Sequence, residues 1–262
     1  MRLDEFSKLL ESNYEQLGLY RYDFVYIYSD LRGFASQLTE EVSRDQLFRA
    51  VVASLLANEV TVLVPTFTYT TSGTFEVTET QTRLGAMNKW FLVQEGVRRS
   101  EHPLFSDAAL GPQADLVENV GKSAFGSQSV FGRLSNRRCG FLHLGHDLSK
   151  HGNTVIHHVE QVCGATYRLH KAFETKVYRR GGYVGTDYTA FLRRRDVPGH
   201  DFVTDFESAA SVMRNKGILR EMGDAESQRY IAAYGYDESV DLMSALLYQD
   251  PSFFIAKGFI QY

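Results

Sequence analysis

Apolar residues in the first 70 positions change between helical and strand spacing. In residues 3–17 they recur three or four positions apart, which predicts an amphipathic helix. The runs FVYIY at 24–28 and TVLVPTFTY at 61–69 predict buried strands, and residues 44–57 between them predict a second helix. Strand, loop, helix and strand in this order predict an α/β fold in which helices flank a sheet.

The later segments are more varied. Residues 66–82 are rich in threonine and predict a hairpin or a long loop over a site. Residues 85–95 predict a helix, and CGFLHLGHD at 139–147 predicts a strand followed by a helix that starts at Asn153 or Thr154. Short β-rich pieces between about 165 and 210 predict an antiparallel lobe, and residues 226–248 predict a final helix. With no repeat or low-complexity linker, we expect one domain over residues 1–262.

Composition limits the function classes. The net charge of −4 offers no general positive field for nucleic acid, although basic residues cluster at 98–99, 137–138, 179–180 and 193–195. The apolar runs are strand-sized, so we expect no membrane insertion, and the acidic N-terminal segment favours a cytoplasmic protein. Cys139 and Cys163 stand in unrelated contexts, which favours a reducing compartment. The sequence leaves the oligomeric state open, with a homodimer among the options.

Two polar segments carry candidate chemistry. GVRRSEHPLFSDAALG at 96–111 gathers Arg, Ser and His around a Pro turn, which suggests an anion or carbonyl site or a plain surface turn. In HGNTVIHHVEQV at 151–162, Thr154, His157 and Glu160 are three apart and share one helix face. An imidazole beside a carboxylate fits a general base with its orienting partner, although such pairs also occur as surface contacts. His158 points to another face, where a structural role is expected.

His143 and His146 raise the question of a metal site. On a strand, the H-x-x-H spacing puts the two side chains on opposite faces, and no cysteine completes a ligand set. We therefore expect no metal.

Four segments together resemble a known family. PTFTY, GVRRSEHPLFSDAALG, AFGSQSVFGRL and NTVIHHVE, in this order and at these separations, resemble the aminoglycoside 3-N-acetyltransferases from about residue 25 to 173. The most specific strings are RS-x-HP-x-x-S-x-AA-x-G at 99–111, FG-x-x-S at 125–129 and T-x-x-H-x-x-E at 154–160. The likeness returns weakly at MRNKGILREMG.

The resemblance implies a three-layer α/β/α sandwich around a mixed sheet, with the antiparallel β-rich lobe towards the C-terminus. It also implies an enzyme that uses acetyl-CoA as co-substrate and forms no covalent acyl-enzyme. His157 would take a proton from the attacking amine, assisted by Glu160 and Thr154. The small-molecule amine is the expected partner.

The resemblance also places the ligands. Acetyl-CoA would lie along three loops and against one aromatic ring, formed by Ser29, Asp30, Leu31, Arg32, Thr66, Thr68, Ser100, His102 and Phe125. A hydroxyl or backbone N–H from Thr66, Thr68 or Ser100 would stabilise negative charge on the thioester oxygen. Apart from the resemblance, the aromatic and basic residues Tyr69, Tyr167 and Arg168 are expected to contact the amine substrate.

The sequence departs from the drug-modifying members of that family. Acidic insertions suited to a polycationic aminoglycoside are not evident, and the region after Tyr167 instead carries Arg168, His170, Lys171, Arg179 and Arg180. This balance favours an anionic or nucleotide-linked amino sugar, as in the branch tied to surface polysaccharide and secondary-metabolite pathways. The alternatives are transfer of a formyl or formimidoyl unit, aminoglycoside 3-N-acetylation, and a non-catalytic sugar-binding module. The T-x-x-H-x-x-E string argues against the last.

Overall fold

A computed structural model describes residues 1–39, 41–197, 202–223, 226 and 229–256. The α-helices are α1 (Leu3–Gln16), α2 (Arg32–Ala35), α3 (Arg44–Ala57), α4 (Ala86–Leu92), α5 (Val130–Leu134), α6 (Leu148–His151), α7 (Val155–Cys163), α8 (Phe206–Asn215) and α9 (Tyr236–Gln249). The strands are β1 (Phe24–Ser29), β2 (Thr61–Pro65), β3 (Thr74–Glu76), β4 (Arg98–Arg99), β5 (Asp107–Leu110), β6 (Cys139–Leu144), β7 (Arg168–Phe173), β8 (Lys176–Arg179), β9 (Gly182–Gly185), β10 (Tyr188–Arg193), β11 (Arg220–Met222) and β12 (Ile231–Gly235). Within these ranges, no helix combines the length and apolar character needed to cross a lipid bilayer.

A seven-stranded mixed sheet forms the centre, in the order β11-β12-β6-β1-β2-β5-β4. The central strands β6, β1 and β2 run parallel, and β12 and β5 add antiparallel neighbours on either side. Because the three parallel strands end at the same edge, the loops after Ser29, Pro65 and Leu144 meet there. In open α/β sheets, ligands bind at this edge.

Helices cover both faces of the sheet, which confirms the expected three-layer sandwich. Along β1, Val25 and Ile27 point to one face and pack with α1, α3 and α4. Tyr26 and Tyr28 point to the other face and pack with α5, α7 and α9. Because successive side chains of a strand alternate between faces, this one run of apolar residues supplies both cores.

The β-rich lobe expected between residues 165 and 210 is present. It contains β7 to β10: β10 pairs antiparallel with β7, and β8 pairs antiparallel with β9. The threonine-rich segment 66–82 contributes β3, which runs parallel to β8 and joins the lobe to the sandwich. Residues 198–201 lie outside the described ranges, and α8 begins at Phe206.

Two helix predictions need correction. Residues 226–248 are not one helix, because Ile231–Gly235 form β12 and pair with β6, and the helix starts only at Tyr236. A short apolar run such as IAAYG fits a buried strand as well as a helix, and pairing with the sheet decides between them. The helix predicted at 85–95 is shorter and ends at Leu92.

One carboxyl group is buried beneath the sheet edge. Asp107, at the start of β5, is 2% exposed and accepts a hydrogen bond from the Tyr26 hydroxyl. Burial raises the pKa of Asp107 to about 7, although the Tyr26 hydrogen bond and the charge of Arg99 both act to lower it. A buried carboxyl without a close cation is more stable protonated.

We predict that Asp107→Asn becomes increasingly favourable relative to wild type as pH rises. A carboxyl with a raised folded-state pKa contributes stability below its unfolded pKa, and this contribution is lost as pH rises through the folded pKa of about 7. The asparagine retains an acceptor for Tyr26 but cannot ionise. Urea unfolding from about pH 5.5 to about pH 8 should show the difference move by about 2 kcal/mol in favour of the variant. A difference that does not change with pH would mean that Asp107 is ionised throughout.

Candidate functional site

Three connected cavities lie at the edge where β1, β2 and β6 end. The groove, of about 600 Å³, is lined by the loop after β1 (Ser29, Asp30, Leu31 and Arg32) and by the start of α3. The channel, of about 330 Å³, shares Ser29, Gly85, His146 and His151 with the groove. The cleft, of about 1040 Å³, opens under the β-rich lobe and shares Tyr69, His157 and Phe206 with the channel.

His157 therefore lies where the channel meets the cleft. Its ring is at the first turn of α7, and its side chain is 23% exposed. The Phe125 ring packs edge-on against the imidazole with a centroid separation of 5.5 Å. A long narrow ligand in the channel and a second ligand in the cleft would both reach this ring.

Glu160 lies one turn after His157 and is completely buried. Its Oε2 is 2.7 Å from Nδ1 of His157, and its Oε1 accepts a hydrogen bond from the Tyr167 hydroxyl at 2.9 Å. Nε of Arg168 is 2.7 Å from the same Oε2, and Nη2 of Arg168 is 2.9 Å from Nδ1 of His157. The two residues predicted as substrate contacts, Tyr167 and Arg168, thus lie against the predicted dyad.

The start of α7 is fixed by several hydrogen bonds. Asn153 Oδ1 accepts from the Ile156 amide at 3.2 Å, and the Asn153 amide group donates to the Tyr234 hydroxyl. The Thr154 amide donates to the Tyr28 hydroxyl at 3.0 Å, and Thr154 lines the channel. Of the two predicted caps, Asn153 supplies the side-chain hydrogen bond and Thr154 is the N-cap residue.

His158 lies on another face of α7, as expected. Its Nδ1 is 2.7 Å from the Phe125 carbonyl oxygen, and the ring is buried. This hydrogen bond holds the FG-x-x-S loop against the helix.

The electrostatics of the cluster favour a neutral imidazole and an ionised carboxylate. Burial lowers the pKa of His157, the charge of Arg168 lowers it further, and Glu160 acts in the opposite direction. Burial acts to raise the pKa of Glu160, but His157 and Arg168 outweigh this and the pKa lies below its usual value. A neutral imidazole next to a buried ion pair can accept a proton.

The three predicted hydroxyl donors, Thr66, Thr68 and Ser100, do not line the groove, the channel or the cleft. Pro65, Phe67 and Tyr69 line the channel, and the intervening Thr66 and Thr68 point to the opposite side. There Thr66 bonds to the Ser106 carbonyl and Thr68 to the Pro103 carbonyl. The backbone alternation explains both, because neighbours in an extended segment face opposite ways.

The RS-x-HP loop is also engaged in its own structure. Ser100 is 1% exposed, and its Oγ accepts from the Asp107 amide at 2.9 Å. His102 accepts from the Leu104 and Phe105 amides through Nδ1, and its Nε2 is 3.0 Å from the Thr189 carbonyl. Burial lowers the pKa of His102 to about 4. These contacts fit a loop-holding role for His102.

The prediction that His143 and His146 lie on opposite faces is wrong. Their Nδ1 atoms are 3.2 Å apart, because β6 ends at Leu144 and Gly145, at φ +62°, turns the chain back. His146 lines the groove and the channel, and His143 is buried beneath it. In the described ranges, no cluster of three or more His, Cys, Asp or Glu side chains is arranged to hold a metal ion.

Most charged side chains that line the cleft are cations, and two of these cations are already paired, Lys150 with Asp147 and Arg168 with Glu160. Its charged side chains are five cations and one carboxylate: Lys150, Arg168, Lys171, Arg193, Arg195 and Asp196. The Asp196 carboxylate is already paired with Arg194 at 2.9 Å. Of the basic residues highlighted after Tyr167, Arg168 and Lys171 line the cleft, whereas Arg179 is paired with Glu101 and Glu118 elsewhere.

Sequence reasoning missed several residues of the cavities. Arg193 and Arg195 belong to a basic run that was visible in the sequence, but their position could not be derived without the pairing of β10 with β7. Lys150, Arg44 and Phe206 had no distinguishing signal. Phe125, which the resemblance places at the donor, lines the cleft beside His157.

Comparisons with known proteins agree with this fold. The sequence model of aminoglycoside 3-N-acetyltransferase matches residues 36–244. The structure is similar to aminoglycoside acetyltransferase AAC(3)-IIb (TM-score 0.74, 20% identity, 95% of this chain and 98% of that chain covered). It is also similar to the binary structure of AAC-IIIb with CoASH (TM-score 0.73, 16% identity, 93% of this chain and 96% of that chain covered). A third similar structure is YokD from Bacillus subtilis (TM-score 0.71, 18% identity, 93% of this chain and 99% of that chain covered). No curated protein matches in sequence.

Proposed function

Because the chain belongs to the aminoglycoside 3-N-acetyltransferase family, whose members are acetyl-CoA-dependent N-acetyltransferases, we propose that it acetylates the amine of an anionic amino sugar with His157 as general base. The observation that carries the proposal is the position of His157, where the channel meets the basic cleft. An imidazole at this junction contacts both reactants at once.

Acetyl-CoA would occupy the groove and the channel. Arg32 and Arg44 line the groove, where they would meet phosphates, and the channel is lined by apolar side chains such as Pro65 and Phe67 as well as by His157. A pantetheine arm fits such a passage because it is long and thin. The thioester would then lie beside Thr154 and His157.

The chemistry needs one displacement and the transfer of one proton from nitrogen to sulfur through His157. The neutral amine nitrogen attacks the thioester carbonyl carbon while Nε2 of His157 accepts the proton from nitrogen. The C–S bond breaks, and the departing CoA sulfur takes that proton from Nε2, so that amide and free thiol result and His157 is neutral again. The main contribution of the protein is to hold amine and thioester in line.

The cleft charge supports an anionic acceptor. Arg193 is held by the Phe202 carbonyl, and Arg195 and Lys171 add positive charge, because the Asp196 carboxylate that also lines the cleft is paired with Arg194. Aminoglycosides carry several ammonium groups and would be repelled here. A phosphate or carboxylate on the sugar would be attracted, as guanidinium groups bind such anions well.

We predict that His157→Ala lowers kcat by about 10²- to 10⁴-fold, because the general base is removed, and leaves CoA binding within a few-fold. Thiol release from acetyl-CoA measures the first quantity and calorimetry the second. The adjacent His158→Ala is the control and should cost far less, since His158 bonds only to the Phe125 carbonyl. Near-wild-type turnover of His157→Ala would remove it as the base.

Arg32→Ala should raise KM for acetyl-CoA more than KM for the amine. The effect should be roughly two- to fivefold, because Arg32 is exposed and already paired with Asp30. Arg49→Ala is the matched control, since Arg49 is equally paired, with Asp45, but lies outside the groove. Equal changes in the two variants would exclude Arg32 from the donor site.

The acceptor class can be tested with a panel of amines. Nucleotide-linked and phosphorylated amino sugars should have a kcat/KM at least tenfold above that of gentamicin-like aminoglycosides. The double variant Lys171→Glu, Arg195→Glu should reverse or erase this preference, whereas Lys176→Glu on the neighbouring exposed strand should not. Equal efficiency of wild type towards both groups of amines would contradict the anionic acceptor. Replacing acetyl-CoA by a different acyl donor in the same assay tests the alternative that a formyl or formimidoyl unit is transferred.

A further inference from the structure

Arg168 is the least expected member of the site. Its side chain is only 3% exposed, and its guanidinium faces three partners at once. Nε lies 2.7 Å from Glu160 Oε2, Nη2 lies 2.9 Å from His157 Nδ1, and Nη1 donates to the Phe191 carbonyl at 3.0 Å. The Phe191 contact ties the guanidinium to β10, so its position does not depend on a ligand.

Two charged neighbours of His157 Nδ1 act on the ring in opposite directions. Glu160 Oε2 can only accept, so it favours a proton on Nδ1 and leaves Nε2 free to act as the base. Arg168 Nη2, 2.9 Å from the same Nδ1, can only donate, so it makes no hydrogen bond to an Nδ1 that carries a proton and acts on the ring through its positive charge. Without Arg168, a buried carboxylate next to the ring would strongly favour imidazolium, and a base that is already protonated cannot accept the proton of the amine.

We propose that Arg168 is a positioning residue that keeps the His157 imidazole neutral between turnovers, by pairing with Glu160 and by repelling the positively charged imidazolium form. This rests on the proposed role of His157 as base. Arg168 is therefore part of the machinery that sets base strength and is not primarily a substrate ligand.

The charges that face His157 come from three elements. Glu160 lies on the same helix, Arg168 on β7 and Arg193 on β10, and Tyr167 donates to Glu160 from the adjacent loop. Both arginines act to lower the pKa of His157, in the same direction as burial, and Glu160 acts to raise it. Of these cations, Arg168 is the one within hydrogen-bond distance of the ring, so its removal should have the largest effect.

The test is the titration of His157 in the folded protein, followed by NMR of ¹³C- and ¹⁵N-labelled histidine. The His157 signal is assigned by its loss in His157→Ala. Arg168→Gln should raise the titration midpoint by at least about one pH unit, and Arg168→Lys should give a smaller rise because it keeps the charge. Glu160→Gln should move the midpoint down. An unchanged midpoint in Arg168→Gln would overturn the proposal.

Kinetics provide the second measurement. In Arg168→Gln, kcat/KM should fall about tenfold on the acid side and recover to within a few-fold of wild type at alkaline pH, because the fraction of neutral base is what changes. A loss that is equal at every pH would indicate a structural role and contradict the proposal. Arg195→Gln is the control from the same cleft: it should raise KM for the acceptor but leave the acid limb in place.

The two hypotheses fail in different ways. The NMR titration needs no turnover, so it reports on Arg168 even if His157→Ala proves active and the base assignment is wrong. If Arg168→Gln does not fold, Arg168→Lys carries the same comparison, with a rise in midpoint expected and no change counting against the proposal.

Discussion

The ionised carboxylate of Glu160 is the constraint on which the rest of the site depends. A fully buried charge is tolerated only when it is paired and hydrogen-bonded, since leaving it alone costs several kcal/mol. His157, Arg168 and Tyr167 supply that pairing. Because Arg168 and Tyr167 come from the entry into β7, the same interaction fixes α7 against the lobe that covers the cleft.

Local signals in the sequence were sufficient to predict a helix whose terminal backbone groups are capped by residues of the same segment. Residues 44–57 were predicted as a helix and form α3 with those bounds, since Ser43 and Gln46 make a reciprocal capping box at its start. The triplet Thr154, His157 and Glu160 could also be identified from local sequence, because residues three apart share one face of a helix whatever tertiary contacts the helix makes. The fold class followed from the alternation of buried strands and helices.

The remaining features depend on pairing between distant segments, which local patterns do not encode. The contact of Arg168 with Glu160 could not be predicted, because nothing near Arg168 in sequence shows that β10 holds it there. Thr66 and Thr68 looked like donors because the direction of each side chain is fixed only when residues 65–69 run past the loop that ends at Ser106. His143 and His146 meet because the strand ends at Leu144, three residues earlier than expected, and a glycine turn follows it.

In the proposed mechanism, the charge of the cleft and the strength of His157 as a base are two aspects of one electrostatic field. Cations such as Arg193 lower the pKa of His157 and also attract an anion into the cleft. An anion bound beside them offsets part of their field, which makes His157 a stronger base at the moment when the amine is in place. A polycation in the same position would weaken the base and be repelled as well. Discrimination by charge would therefore act on both binding and proton transfer, and a larger effect on kcat/KM than on affinity alone follows from this geometry.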